Sequence, residues 1–472
     1  METLQRTANR GSISTGFDID NSLKFERANS EQIFTSNAAS GNRKTWTFSA
    51  WIKRTELSQD YHTIFSCGYS NIQIMSNDRP RLILYNGSSE VYADPEMLMR
   101  DTSTWYHIVV QVDSTQSTAS DRVKWYINGD RITNFNNSTY TNMSQNEDFD
   151  FGQAGSGSDN YLRLGEFFGG SEGFSGYMSD VYYLNGTAAQ ASDFGEYDSD
   201  SGIWIPKEYT GSGYGTQGFH YKFDNASNLG EDSSGEGHDA NNLSNITSAD
   251  QATDTPTNNF CTWSPLWAES RANGTITEGA TQVAWGGGAW KIARSSMAVS
   301  KGRWYWEIKG ANVTGDTWNN NLFGFASVEG DDGQYGPTVL IGYSTGNYYY
   351  RVANSQTSDG STGWDSGGAW SSSDIFGFAL DLESSTKKFI LYRNGSAVNG
   401  SGTDLVSAFQ TEQFFTTYST SYNGDTQFLN WGGYTVNSIS SAASDANGYG
   451  TFEYAPPSGY YAICTKNLAE FG

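Results

Sequence analysis

Val123-Lys124-Trp125-Tyr126-Ile127, then Asn128-Gly129, then Arg131-Ile132, is the stretch that decides the fold. β-Branched and aromatic residues flank an Asn-Gly pair. Asn and Gly accept the positive φ angles that a type I′ turn needs at both central positions, so the stretch predicts a hairpin. Just before it, Trp105-Tyr106-His107-Ile108-Val109-Val110-Gln111-Val112 predicts a strand. Further back, Trp46-Thr47-Phe48-Ser49-Ala50-Trp51-Ile52-Lys53 mostly alternates a ring or apolar group with a small or polar one. That period of two predicts a half-buried strand. Residues 81–85 run into Asn86-Gly87, and residues 162–165 and 177–184 add strands. The second half is built in a similar way, with strands at 302–309, 322–326 and 376–381, a hairpin at Asn394-Gly395, and strands at 428–432 and 459–462. Eight Asn-Gly pairs punctuate the chain, so strands follow one another at close spacing, as in an antiparallel sandwich or barrel. No stretch sustains a helical period, and one short helix is expected near residues 189–194.

The chain has 472 residues with 15 Trp, 29 Tyr and 26 Phe, which is too aromatic for a disordered chain despite its polarity. Net charge is −24, which repels phosphate backbones and anionic membrane surfaces. Neither nucleic-acid binding nor membrane insertion is therefore expected. No apolar run approaches the ~20 residues of a membrane helix. The N-terminal residues lack a signal-peptide core, so synthesis in a cytoplasm without conventional export is expected. Cys67, Cys261 and Cys464 lie far apart and read as small buried apolar side chains.

Residues 20–210 resemble laminin-G-like domains of the concanavalin A-like class. The carriers are 46–54, 105–113, Tyr126-Ile127-Asn128-Gly129 and Phe174-Ser175-Gly176-Tyr177-Met178-Ser179-Asp180-Val181-Tyr182. Residues 262–470 resemble SPRY domains, on 302–308, 322–326, 376–381, 389–395 and Leu429-Asn430-Trp431-Gly432. Both families are two-sheet sandwiches. The resemblance therefore implies an all-β chain of two concanavalin A-like antiparallel β-sandwich (jelly-roll) domains joined by an extended connector. The expected division is an arm over 1–20 carrying Arg6 and Arg10, and a laminin-G-like sandwich over 21–210. A Gly-rich, acidic connector with one strand follows over 211–262, then a SPRY-like sandwich over 263–472. Asp254-Thr255-Pro256-Thr257-Asn258-Asn259-Phe260 before Trp263-Ser264-Pro265-Leu266 is similar to tailed-phage virion proteins of the marine kind. So is Asp193-Phe194-Gly195 with Gly202-Ile203-Trp204-Ile205-Pro206-Lys207.

Catalytic patterns are weak. Glu329-Gly330-Asp331-Asp332-Gly333-Gln334 is the nearest string to a glycosidase carboxylate pair, but Gln stands where the acid belongs. Gly169-Gly170-Ser171-Glu172-Gly173 spells a nucleophile elbow, yet a strand follows it where a helix is needed. His62, His107, His220 and His238 are scattered. No cofactor is expected. Calcium is left open at Gln145-Asn146-Glu147-Asp148-Phe149-Asp150 and at Glu231-Asp232, because loops can supply the oxygens it needs, although a solvated loop is the favoured reading. Sugar recognition needs aromatic faces with amides and carboxylates beside them. Trp318, Asn320, Trp364, Asp365 and Trp370 offer that combination in loop-like sequence of the second half. Tyr348-Tyr349-Tyr350 reads as alternating across a sheet.

The resemblance to phage proteins implies a non-enzymatic virion protein at the particle periphery, made in the host cytoplasm. The expected role is host attachment, at a tail fibre or spike tip or as a capsid appendage. Its partners would be other virion subunits and a bacterial surface glycan or receptor, and it would be a homo-oligomer on the virion. A purely structural decoration or cementing protein is the alternative, and a glycan depolymerase the minor one.

Overall fold

The computed structural model describes residues 16–36, 39–57, 60–154, 160–170, 172–211, 213–267, 274–286, 291–310, 321–328, 338–344, 347–353, 371–405, 409–421 and 425–472. The chain forms two units, one ending at Thr257 and the other beginning at Asn258. Among the described residues no helix is long and apolar enough to cross a membrane.

The first unit pairs two antiparallel eight-stranded sheets. One runs Asp130–Ile132, Val123–Ile127, Tyr106–Asp113, Thr45–Arg54, Gly176–Asn185, Ser22–Phe25, Gln251–Ala252, with Phe219–Tyr221 also on Gly176–Asn185. The other runs Phe135–Asn137, Glu90–Pro95, Pro80–Tyr85, Ser70–Ile74, His62–Cys67, Leu162–Leu164, Gln32–Thr35, Asn242–Ser244. Rings close the space between them. Phe48 of the first sheet stacks on Phe65 of the second at 4.6 Å, and Trp46, Phe151 and Tyr183 join the same cluster. Each such ring, once buried, contributes roughly 1.5–3 kcal/mol. The hairpin turns as predicted, with Asn128 at φ 48° and Gly129 at φ 82°. A side chain at Gly129 would also meet the Trp204 ring at 2.3 Å.

Thr45–Arg54 is buried on both faces, where alternation predicted one. Its second face lies under residues 186–211 and 213–215: Thr47 Oγ1 donates to the Thr187 carbonyl at 2.8 Å and accepts from the Ala189 amide. Phe194, Trp204, Tyr209 and Tyr214 make a second small core there with Tyr182 and Leu184. The short helix is a 3-10 turn at Ala191–Asp193, capped by Asp193 on the Gln190 amide.

The structure differs from the expected connector over 211–262. Phe219–Tyr221, Asn242–Ser244 and Gln251–Ala252 all pair within the first unit. The acids and glycines there shape turns: Asp232 accepts the amides of His220, Ser234 and His238. The segment is anchored by Asp254, which holds Lys53 at 2.7 Å and accepts Trp105 Nε1–H at 3.1 Å. Thr257 Oγ1 accepts the Ile19 amide and donates to the Ile19 carbonyl. Residues 1–15, with Arg6 and Arg10, lie outside the described residues.

The second unit has a nine-stranded sheet running Gly274–Thr277, Gln282–Trp285, Thr426–Asn430, Arg303–Gly310, Ile375–Asp381, Lys388–Arg393, Ser396–Ala397, with Thr403–Asp404 and Tyr461–Ala462 alongside. Its five-stranded partner runs Lys291–Val299, Phe415–Ser421, Asn321–Ser327, Thr338–Ser344, Asn347–Ala353. All pairs are antiparallel except Tyr461–Ala462 on Arg303–Gly310. Trp263, Trp304, Trp306 and Trp431 are buried in the core, and Trp306 stacks on Phe378 at 5.2 Å. The predicted turn at Asn394-Gly395 has both residues at positive φ. The Tyr348-Tyr349-Tyr350 stretch lies in a strand, as alternation suggested. The seven-residue helix Thr465–Phe471 had no periodic signal because it is too short to show one.

Candidate functional site

The second sheet of the first unit turns one face to the core and the other away from it. In Ser70–Ile74, Ile72 and Ile74 enter the core, so Asn71 and Gln73 take the opposite face. Leu82 and Leu84 are likewise core residues, which puts Arg81, Ile83 and Tyr85 on that outer face. An outer face is ordinarily wet. Here Asn71 and Gln73 are each only 2% exposed and Thr63 is fully buried. Thr63 stands opposite Gln73, and Ser66 opposite Asn71.

A loop lies over this floor. The Gly165 amide donates to the Ile64 carbonyl and the Thr63 amide to the Glu172 carbonyl, so the chain leaves the ladder after Gly165 and is back beside it at Glu172. Ser66 Oγ donates to the Glu166 carbonyl at 2.9 Å, which sets the loop on the outer side. The loop brings Phe168 to 5.9 Å from Tyr69, whose ring is 5.2 Å from Tyr85. Tyr69 is 49% exposed.

Beneath and beside the loop, Thr63 Oγ1, Asn71 Oδ1 and Gln73 Oε1 are buried with no hydrogen-bond partner among the described residues. Most buried polar atoms in folded proteins are paired, so three such oxygens on one patch call for a reason. The flanks are tied. Arg81 clasps Asp94 through two bonds of 3.0 and 2.8 Å and lies over the Tyr92 ring. On the other side Arg163 Nη1 donates to Gln32 Oε1 at 2.9 Å and lies over Phe34 and Tyr161, which stack on each other. Gln32 Nε2 in turn donates to Glu166. Burial pushes the Glu166 carboxyl above its usual range, against the pull of Arg163. Burial raises Glu172 as well, with Asp60 adding to it. An exposed Tyr69 ring, with the half-buried Tyr85 and Phe168 rings beside it, suits a ligand with apolar C–H faces and hydroxyls.

Trp318, Asn320, Trp364, Asp365 and Trp370 all lie outside the described residues, as do Glu329 to Gln334. Ser171 lies outside them too, and its neighbours belong to the loop just described. The acids of 145–150 have protein partners: Glu147 takes the Ser144 amide and Asn86 Nδ2, Asp148 takes Lys44, and Asp150 takes the Tyr69 amide. Glu231 takes Asn225 Nδ2. Among the described residues no group of three or more His, Cys, Asp or Glu is placed to hold a metal ion.

One Ser–His pair stands out among the described residues. Ser49 Oγ is 2.9 Å from His107 Nε2, and His107 Nδ1 is 3.0 Å from Trp204 Nε1. An indole only donates, so Nδ1 accepts and Nε2 carries the proton. That tautomer donates to Ser49 and leaves no nitrogen to take the serine proton. Full burial also holds His107 down to about 3. His220 is bound to Asp180 at 2.7 Å, and His238 Nδ1 to the Gly218 carbonyl. The three cysteines are free and buried. Burial raises the Cys67 and Cys464 thiols well above the usual range.

Sequence reasoning missed Thr63, Asn71 and Gln73. The available signal was the pair of amides on the polar side of Ser70-Asn71-Ile72-Gln73-Ile74, where a wet strand face more often carries charge or hydroxyl.

Residues 27–192 match the Laminin_G_3 family, described as concanavalin A-like lectin/glucanases superfamily. The first unit therefore carries a laminin-G-like, concanavalin A-like domain. No curated protein matches the chain. Among solved structures the chain is similar to domains LG4-5 of the mouse laminin alpha1 chain, at 8% identity and TM-score 0.28, over 88% of this chain and 91% of that one. It is similar to the SPRY domain of human HERC1 at 16% identity and TM-score 0.25, over 34% of this chain and 94% of that one. It is also similar to full-length tailspike protein 2 from Escherichia coli O157:H7 bacteriophage CAB120, at 16% identity and TM-score 0.25, over 37% of this chain and 23% of that one.

Proposed function

We propose that this chain is a non-enzymatic glycan-binding protein acting as a host-attachment adhesin at the periphery of a phage particle. The observation that carries the glycan reading is the exposed Tyr69 ring, with Tyr85 and Phe168 beside it, at a polar sheet face whose Thr63 Oγ1, Asn71 Oδ1 and Gln73 Oε1 have no hydrogen-bond partner among the described residues. A binding role without chemistry is supported by the tautomer of the Ser49–His107 pair. The phage setting rests on the similarity of Asp254 to Phe260 and of Asp193 to Lys207 to tailed-phage virion proteins. It carries with it synthesis in the host cytoplasm, other virion subunits as partners and a homo-oligomer on the particle. Trp318, Asn320, Trp364, Asp365 and Trp370 are proposed as a second contact region, and calcium as an ion whose effect is to be measured.

The test is binding of the purified chain to an array of bacterial surface glycans, first with calcium and then with chelator. Asn71→Leu and Gln73→Met are each expected to weaken specific binding by about tenfold. Loss in Trp318→Ala, Trp364→Ala or Trp370→Ala, with Asn71→Leu and Gln73→Met unaffected, would move the site to the second unit. No glycan binding by the unaltered chain, together with binding to assembled particles, would replace the adhesin by a decoration protein.

A further inference from the structure

We infer that Lys24 and Asp250 become joined by a side-chain amide that the protein forms on itself, with Glu31 moving the proton. This rests on neither the glycan nor the phage reading. Lys24 lies on Ser22–Phe25, the first described strand of the first unit. Asp250 immediately precedes Gln251–Ala252, the last. The two strands pair antiparallel, Ser22 with Ala252 and Leu23 with Gln251, and the same register carried one step on sets Lys24 opposite Asp250. Leu23 and Phe25 enter the core, so Lys24 takes the opposite face. That face is covered here: Lys24 is 1% exposed, Glu31 3% and Asp250 10% at their side chains. Lys24 Nζ is 2.9 Å from Asp250 Oδ1, and 2.8 and 3.0 Å from the two Glu31 oxygens. Among these three groups the acids outnumber the amine, and burial makes each charge costly. Amide formation removes one ammonium and one carboxylate together.

The two carboxyls are held differently. Glu31 meets the amine with both oxygens, which puts a base on its N–H groups. Burial pushes Glu31 up to about 7 against the pull of Lys24, so near neutrality it can take a proton and return it. Asp250 turns Oδ1 to the amine, while its Oδ2 accepts the Thr247 amide at 2.8 Å and the Thr247 hydroxyl at 3.2 Å. Those donors stand where negative charge gathers when nitrogen adds to Cγ, which makes Asp250 the electrophile. The Lys24 ammonium first passes one proton through Glu31 to Asp250 Oδ1, leaving a neutral amine and a carboxylic acid. Nζ then bonds to Cγ. A second proton passes from nitrogen through Glu31 to Oδ1, the Cγ–Oδ1 bond breaks, and water leaves. Oδ2 stays as the amide oxygen, Glu31 ends as it began, and nothing is oxidised or reduced. The reacting groups are all supplied by the chain, so burial from outside ligands is no obstacle. The bond ties the first described strand of the unit to the last, and a pull between them then falls on covalent bonds instead of sheet hydrogen bonds.

The test is the mass of the purified full chain under denaturing conditions, followed by peptide mapping. The expected result is a mass one water below that of the sequence and a branched peptide joining Lys24 to Asp250. Glu31→Gln and Lys24→Arg, shown to be folded by circular dichroism, are expected to keep the full mass. Their first unit should unfold about 10–20 °C lower, as for a cross-link lost from a long loop. Asp250→Asn is expected to link with loss of ammonia instead of water, which no merely structural role of the cluster produces. Full mass in the unaltered chain, or a linkage at Lys53–Asp254 in place of Lys24–Asp250, overturns the inference. Complete linkage in Glu31→Gln overturns the role of Glu31. A folded Asp250→Asn chain that keeps its ammonia overturns Asp250 as the electrophile.

Discussion

Replacing Gln73 by Met should make the protein more stable and less able to bind. Gln73 is 2% exposed in the middle of the outer face, and its Oε1 has no hydrogen-bond partner among the described residues. A buried polar group without a partner costs about 1–3 kcal/mol in lost hydration. Methionine has nearly the same length and flexibility and carries no group that must be hydrated. The fold should therefore gain about 1–3 kcal/mol. In a unit of this size each kcal/mol moves the unfolding midpoint by about 2–4 °C. Scanning calorimetry would read the shift, and hydrogen exchange at Ser70–Ile74 would place it in the first unit. Glycan affinity should fall in the same variant by about tenfold, the worth of one hydrogen bond to a buried partner. Opposite signs in stability and binding are what a site kept at a cost to the fold produces. A loss of about 1 kcal/mol or more in Gln73→Met would refute the reasoning, because it would mean that the amide is paired and structural. Unchanged affinity would refute it from the other side.

Asp254→Ala should destabilise the first unit by about 3–5 kcal/mol in urea unfolding, because the buried Lys53 ammonium loses its carboxylate. His107 is neutral in the fold, with its pKa held at about 3 against an unfolded 6.5, so its contribution is present above 6.5 and is lost as pH falls towards 3. His107→Gln keeps an acceptor for Trp204 and a donor for Ser49, and between pH 7 and 5 it should lose about 2 kcal/mol less stability than the unaltered chain. Equal acid sensitivity of the two chains would refute that assignment. Gly129→Ala should cost more than about 1 kcal/mol by thermal unfolding, since Gly129 combines φ 82° with the Trp204 ring at 2.3 Å from the added carbon.

Local signals settled a great deal about this protein. Asn128-Gly129 and Asn394-Gly395 are turns because of what two adjacent residues tolerate, and no distant segment is needed to make them so. The alternation in Trp46 to Lys53 is a property of the strand itself and carried the all-β class with it. The tertiary structure decided which faces are covered, and by what. Thr45–Arg54 is buried twice because residues 186–211, more than a hundred positions away, lie across it. The Gly-rich, acidic stretch after 211 has the composition of a linker, yet Asp254 on Lys53 and three paired strands hold it in the first unit. The candidate site was hidden for the same reason. Asn71 and Gln73 read as ordinary solvated positions until residues 166–170 are set against the face they share with Thr63 and Ser66. Periodicity shows that a side chain leaves the core. Whether it then meets water depends on chain from elsewhere, and only the folded molecule brings that chain to the sheet.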